Sequence, residues 1–69
     1  MIKELDLHGV RHSEVDRLVE NFVLLNEPPI KIITGNSDKM RELVNNVLER
    51  CEVEYESLRP GLITVLKYI

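Results

Sequence analysis

The sequence is short of cysteine, of long apolar runs and of excess positive charge, and each shortage closes off a class of protein. One cysteine, Cys51, stands in 69 residues. It cannot form an internal disulfide, which excludes a disulfide-stapled scaffold and fits a reducing, cytoplasmic setting. No stretch approaches the roughly 18 apolar residues of a membrane-spanning helix, so no membrane partner is expected. The first residues, MIKELDLH, carry charges where a secretory leader needs an apolar region, so no leader is expected either. The formal net charge is −3. Tight sequence-independent binders of nucleic acid are strongly basic, because neutralising phosphates supplies most of their affinity. Here any such contact has to come from a local cluster of cations, is weak in isolation and fades with salt. There is no linker, repeat or low-complexity segment, and the length admits one domain over 1–69.

What is present is clean patterning. The hydrophobic fraction of 43% beside 30% charged residues describes a globular chain. Residues 2–7 alternate with period two, which predicts a strand with Leu5 and Leu7 on its buried face. Ser13 is expected to cap a helix that carries Glu14 and Asp16 in its first turn. Val15, Leu18, Val19, Phe22 and Val23 follow at helical spacing, and Pro28-Pro29 stop the helix. A β-branched strand is expected over 30–34, then a second helix after Gly35-Asn36-Ser37, with Met40, Leu43, Val44, Val47, Leu48 and Cys51 on one face. Residues 52–58 alternate strictly, placing Glu52, Glu54 and Glu56 on one side. Pro60-Gly61 is a turn, and 62–68 a last strand.

This order, βαβαββ, predicts an α/β two-layer sandwich: a mixed four-stranded sheet with both helices on one face. The first three strands then run parallel, and their carboxyl ends share one edge of the sheet, the edge where open α/β sheets bind ligands. Asp6, His8 and Gly9 lie there, with Arg11 and His12, with Thr34, Gly35, Asn36 and Ser37, and with Arg59. Asp6 and His8 are two apart, so both are expected on the open face, with the carboxylate orienting the imidazole. Gly9 permits a sharp turn or a phosphate's close approach. Helix amino-termini attract anions, and a guanidinium suits phosphate. A proton-carrying histidine beside a phosphate-binding arginine is what phosphodiester cleavage needs.

Each residue also has an ordinary reading. His8 serves equally as a solvated loop residue, Asp6 as an outward strand residue and Arg59 as the first residue of a turn. Arg11 and His12 read as a solvated helix start, and Thr34 to Ser37 as a helix cap. The row of Glu52, Glu54 and Glu56 reads as a solvated face. Asp6 with His8 could begin a site for a divalent metal, but zinc takes three or four protein ligands and no third is evident, so no cofactor is implied.

The stretch Leu5-Asp6-Leu7-His8-Gly9, with Ile32-Ile33-Thr34-Gly35 leading to a second helix and Leu58-Arg59-Pro60-Gly61 before a Thr-Val-Leu-Lys strand, resembles the small MutS-related (Smr) domain. The order of elements matches across almost the whole chain. The resemblance implies a βαβαββ sandwich similar to the C-terminal domain of a bacterial translation initiation factor. It also implies an endonuclease that nicks DNA or cuts RNA, with Asp6 and His8 of the LDxHG motif at the active site and Gly35 at the substrate loop. Arg59 as the assisting cation comes from the strand-edge argument. The chain departs from the family at Gly35-Asn36-Ser37, where Gly-x-Gly is usual, and at Gly61, all that remains of a glycine-rich segment. Two roles are therefore carried forward: an Smr-like endonuclease, and a non-catalytic module that binds nucleic acid or a protein partner through the same edge.

Overall fold

The computed structural model describes residues 2–69. Six elements follow in the order β1 (Lys3–Asp6), α1 (His12–Leu25), β2 (Ile30–Ile33), α2 (Asp38–Arg50), β3 (Val53–Arg59) and β4 (Leu62–Tyr68). The sheet order is β1-β2-β4-β3. β1 and β2 pair in parallel, and β4 runs antiparallel to both β2 and β3. The expected mixed α/β architecture is therefore present. No helix among the described residues is long and apolar enough to cross a membrane.

The core forms where the two periodicities meet. Helical spacing sends Val15, Val19 and Val23 of α1, and Met40, Val44, Val47 and Leu48 of α2, onto one layer. Strand alternation sends Leu7, Ile30, Ile32, Val53, Ile63 and Val65 to meet them. Leu5, Leu18, Phe22, Leu43, Cys51 and Tyr55 pack around that cluster. The helices are also tied by charge, since Arg50 Nη2 lies 2.7 Å from Asp16 Oδ1 and 3.7 Å from Glu20 Oε1. The Arg50 hydrogen bond holds the Asp16 carboxyl below the usual range.

Three expectations are corrected. α1 begins at His12 with Arg11 as N-cap, and Ser13 falls inside the first turn; no side chain caps this helix. The cause is the preceding turn, which the Val10 amide closes by donating to the Leu7 carbonyl at 3.0 Å, leaving one extended residue before the helix. β2 ends at Ile33, not Thr34, where the chain turns away at Gly35, whose φ is +70 and whose amide shares the Gly61 carbonyl with that of Thr34.

The alternation of 52–58 is not strict. Glu52 lies outside β3 with φ 57, closing the end of α2. Within the hairpin, Glu54 pairs with Lys67 but Tyr55 with Val65, so Leu66 is an extra residue. Glu56 pairs with Thr64 and Arg59 with Leu62, so β3 carries one extra residue between them. Each bulge reverses the side-chain phase beyond it. The first turns Tyr68 toward the helices, where its hydroxyl donates to the Val23 carbonyl at 2.8 Å. The second places Arg59 on the same face as Leu62 and Thr64, the face without helices.

Candidate functional site

The carboxyl end of the sheet is built by three turns of different construction. The first is Leu7-His8-Gly9-Val10. Its closing hydrogen bond and the φ of +80 at Gly9 make it a turn of type II, which needs a left-handed residue at its third position. Asp6 Oδ1 accepts from the backbone amide of His8 at 2.9 Å. That carboxylate thus fixes the turn that carries His8, and its hydrogen bond goes to the amide, not to the imidazole. Asp6, His8, Gly9, Arg11 and His12 are all exposed. A Cβ added at Gly9 would meet nothing within 4 Å, so the space above this turn is open.

The turn between β2 and α2 is a packed joint. Thr34 is 3% exposed and faces the helix layer, so it offers no surface to a ligand. The Thr34 and Gly35 amides both donate to the Gly61 carbonyl, at 2.8 and 3.3 Å. Ser37 is the N-cap of α2, its Oγ accepting from the Met40 amide at 3.1 Å. Asn36 and Ser37 are exposed, while Gly35 is half-buried. The third turn, Pro60-Gly61, has φ +82 at Gly61, and a Cβ there would stand 3.0 Å from the Gly35 carbonyl oxygen. Gly61 is needed for both reasons.

The sheet order decides which residues meet. In register, Asp6 pairs with Ile33, Ile33 with Leu62 and Leu62 with Arg59. β1 and β3 are the two outer strands, so the His8 turn and Arg59 occupy opposite edges. Three inter-strand steps of roughly 4.8 Å put Asp6 and Arg59 about 14 Å apart. His8, Arg11 and His12 come together around the first turn, Gly35 to Ser37 occupy the middle, and Arg59 stands alone.

The charges at this end are mixed in sign, and the carboxylates of Asp6, Glu14 and Asp38 are each engaged, with the His8 amide, Arg17 and Arg41. Arg17, Arg41, Arg50 and Lys67 lie in ion pairs. Of the cations with no ion-pair partner among the described residues, Arg11, Lys39 and Arg59 lie at the carboxyl end of the parallel strands, while Lys31 is mid-sheet and Lys3 at the far end. Lys39, in the first turn of α2, is a residue that sequence reasoning missed; its only signal was its place two residues after the Ser37 cap. Asp38 beside it is 3.5 Å from Arg41 Nη2, which offsets part of its charge. Arg41 keeps its buried Nε without a hydrogen-bond partner. Acidic Glu27, Glu49 and Glu52 stand at the far end. The row running Glu4, Lys31, Thr64, Glu56 across the open face is mixed in sign.

Other chemistry is poorly served. Among the described residues no three His, Cys, Asp or Glu side chains are grouped to hold a metal ion. Burial pushes the Cys51 thiol up, so no reactive thiolate is prepared there. A shallow cleft lined by Glu27, Pro28, Leu66, Lys67 and Tyr68 lies at the opposite end of the sheet and holds no histidine.

Fold and site define a small two-layer α/β domain with a histidine-bearing loop end of mixed charge. Compared with models of known protein families, with curated proteins and with solved structures, the chain matches none of them.

Proposed function

We propose that this is an Smr-like domain that binds nucleic acid at the carboxyl end of its sheet and cleaves it with His8. The observation that supports this reading is the turn between β1 and α1. It combines an exposed histidine, a neighbouring unpaired Arg11 and a helix start without a side-chain cap, beneath open space. The first amides of a helix have no intrahelical partner and favour an anion. Histidine is the side chain that gives and takes protons near neutral pH.

In this reading Arg11 and the His12 and Ser13 amides hold the phosphate beside His8, with His12 at its rim. Asp6 is a positioning residue that sets the His8 turn. On RNA, His8 takes the proton of a 2′-hydroxyl as that oxygen bonds to phosphorus. The bond from phosphorus to the 5′-oxygen breaks, and water protonates the departing oxygen. This route needs no metal. Lone Cys51 and the absence of a membrane-crossing helix among the described residues suit a cytoplasmic location, which belongs to the same proposal.

The test is incubation of the purified chain with labelled single-stranded RNA, structured RNA and supercoiled plasmid, at low salt, with and without divalent cation, beside His8→Ala. Cleavage that disappears in the variant is the expected result, and the responsive substrate separates RNA from DNA. Salt-sensitive binding without turnover, identical in both proteins, would establish the non-catalytic module instead. No binding even at low salt would leave the protein-partner role.

A further inference from the structure

Resting on the nucleic-acid reading above, we infer that the ligand is a strand laid across the ends of all four β-strands, with His8 and Arg59 at different phosphates. Arg59 is then a positioning residue for the strand and stands apart from the reacting phosphate.

The sheet order carries this inference. Were β3 next to β1, or the hairpin free of bulges, Arg59 would lie beside the His8 turn or face the helices. Instead the extra residue in β3 brings Arg59 onto the open face, in one row with Leu62, Ile33 and Asp6. Strand side chains stand roughly perpendicular to their sheet, so the two ends of the row keep the separation of their backbones. That separation is about 14 Å, three strand spacings. A stacked strand advances about 3.4 Å per nucleotide, so the row corresponds to about four nucleotides. One phosphate does not reach from the His8 turn to Arg59; a strand of that length does, with the Asp6 carboxylate turned to the His8 amide.

The ground between the two ends suits a passing chain. Ile33 and Leu62 are half-buried and uncharged, giving bases or sugars apolar contact where no phosphate needs a partner. Gly9 and Gly35 add no side chain, and the positions their Cβ atoms would take open onto empty space. Lys39 stands above the middle turn, between the two outer cations in the order of the strands. The three aromatic side chains, Phe22, Tyr55 and Tyr68, lie on helix-side positions or on α1 itself, so the open face has no stacking platform. Affinity is left to spaced cations, and it grows with the number of phosphates reached.

The experiment measures binding of fluorescent oligonucleotides from two to eight nucleotides at low salt, for the wild-type chain, Arg59→Ala and Arg11→Ala. The expected result is a loss for Arg59→Ala that depends on length. It is absent for the dinucleotide and reaches about tenfold by six to eight nucleotides, the scale of a charged hydrogen bond. The salt dependence of the longer ligands should fall by about one phosphate contact. Arg11→Ala should weaken every length. An Arg59→Ala loss equal at two and eight nucleotides would place both residues at one phosphate and overturn the inference alone. No Arg59→Ala effect at any length would do the same. Failure of the wild-type chain to bind any length would overturn the nucleic-acid reading with it.

Discussion

The two strand-to-helix turns of this molecule occupy equivalent places and are built in opposite ways. After β2, the chain is held from all sides: Thr34 is buried, two amides share the Gly61 carbonyl, and Ser37 caps the helix it introduces. After β1, the Val10 amide closes the turn on the Leu7 carbonyl and the Asp6 carboxylate braces the His8 amide, but no side chain caps the helix it introduces. α1 begins at His12 with Arg11 as an N-cap residue that makes no side-chain capping bond, and His8, Arg11 and His12 are exposed there. One turn also caps the helix that follows it; the other leaves the first amides of its helix uncapped beside an exposed histidine. Under the proposed function the second turn carries stability and the first carries chemistry, and that division can be broken by substitution.

The largest expected effect is on turnover. His8→Ala should lower cleavage by at least about a hundredfold, the lower range for a positioned acid or base. Its unfolding midpoint should stay with that of the wild-type chain, because His8 is exposed and its amide bond to Asp6 survives the substitution. A large drop in that midpoint with unchanged cleavage would reverse the roles of the two turns.

Next comes one substitution made at two glycines of nearly the same φ, +80 at Gly9 and +82 at Gly61. Alanine in the left-handed region costs about 1–2 kcal/mol, and that is the whole expectation at Gly9, where the added methyl meets nothing. At Gly61 the methyl also presses on the Gly35 carbonyl, and the total should be about 2–5 kcal/mol, since forced backbone shifts cost about 1–3 more. Domains of this size lose about 4–8 °C in Tm per kcal/mol, so thermal unfolding resolves the two. Equal losses would mean that the joint between Gly35 and Gly61 yields freely. Ser37→Ala should follow at about 1 kcal/mol, the worth of an N-cap.

The sequence made most of this architecture legible, and the places where it fell short share a cause. Periodicity placed both helices and all four strands, because Val15, Val19 and Val23, or Leu5 and Leu7, have one way to reach a common core. Alternation failed at Leu66 and between Glu56 and Arg59, since a bulge is set by cross-strand pairing and leaves no mark on local composition. The same limit applied to the site. The residues at the carboxyl ends of the parallel strands were readable from topology, but the insertion of β4 between β2 and β3 was not, and it is this insertion that parts Arg59 from His8. Ser13 looked like a cap by composition; the turn closed at Val10 left Arg11 in that position instead.

The smallest expected effect is the most discriminating, because it should move two quantities in opposite directions. Arg11→Ser puts a hydroxyl at the N-cap of α1, three residues before Glu14, which is the spacing of a capping box. The Glu14 carboxylate now lies 2.7 Å from Arg17 Nη2, so the hydroxyl's own bond to a first-turn amide should carry most of the gain, about 0.5–1 kcal/mol of added stability. The same change removes the cation beside His8 and occupies an amide that would otherwise meet phosphate. Binding of single-stranded RNA should therefore weaken severalfold, with a shallower salt dependence. Greater stability with weaker binding would mean that the chain keeps a less stable helix start where a ligand completes it. Greater stability with unchanged binding would move the anion away from α1. No change in stability would show that the first-turn amides are already well served by water, and the contrast between the two turns would lose its energetic basis.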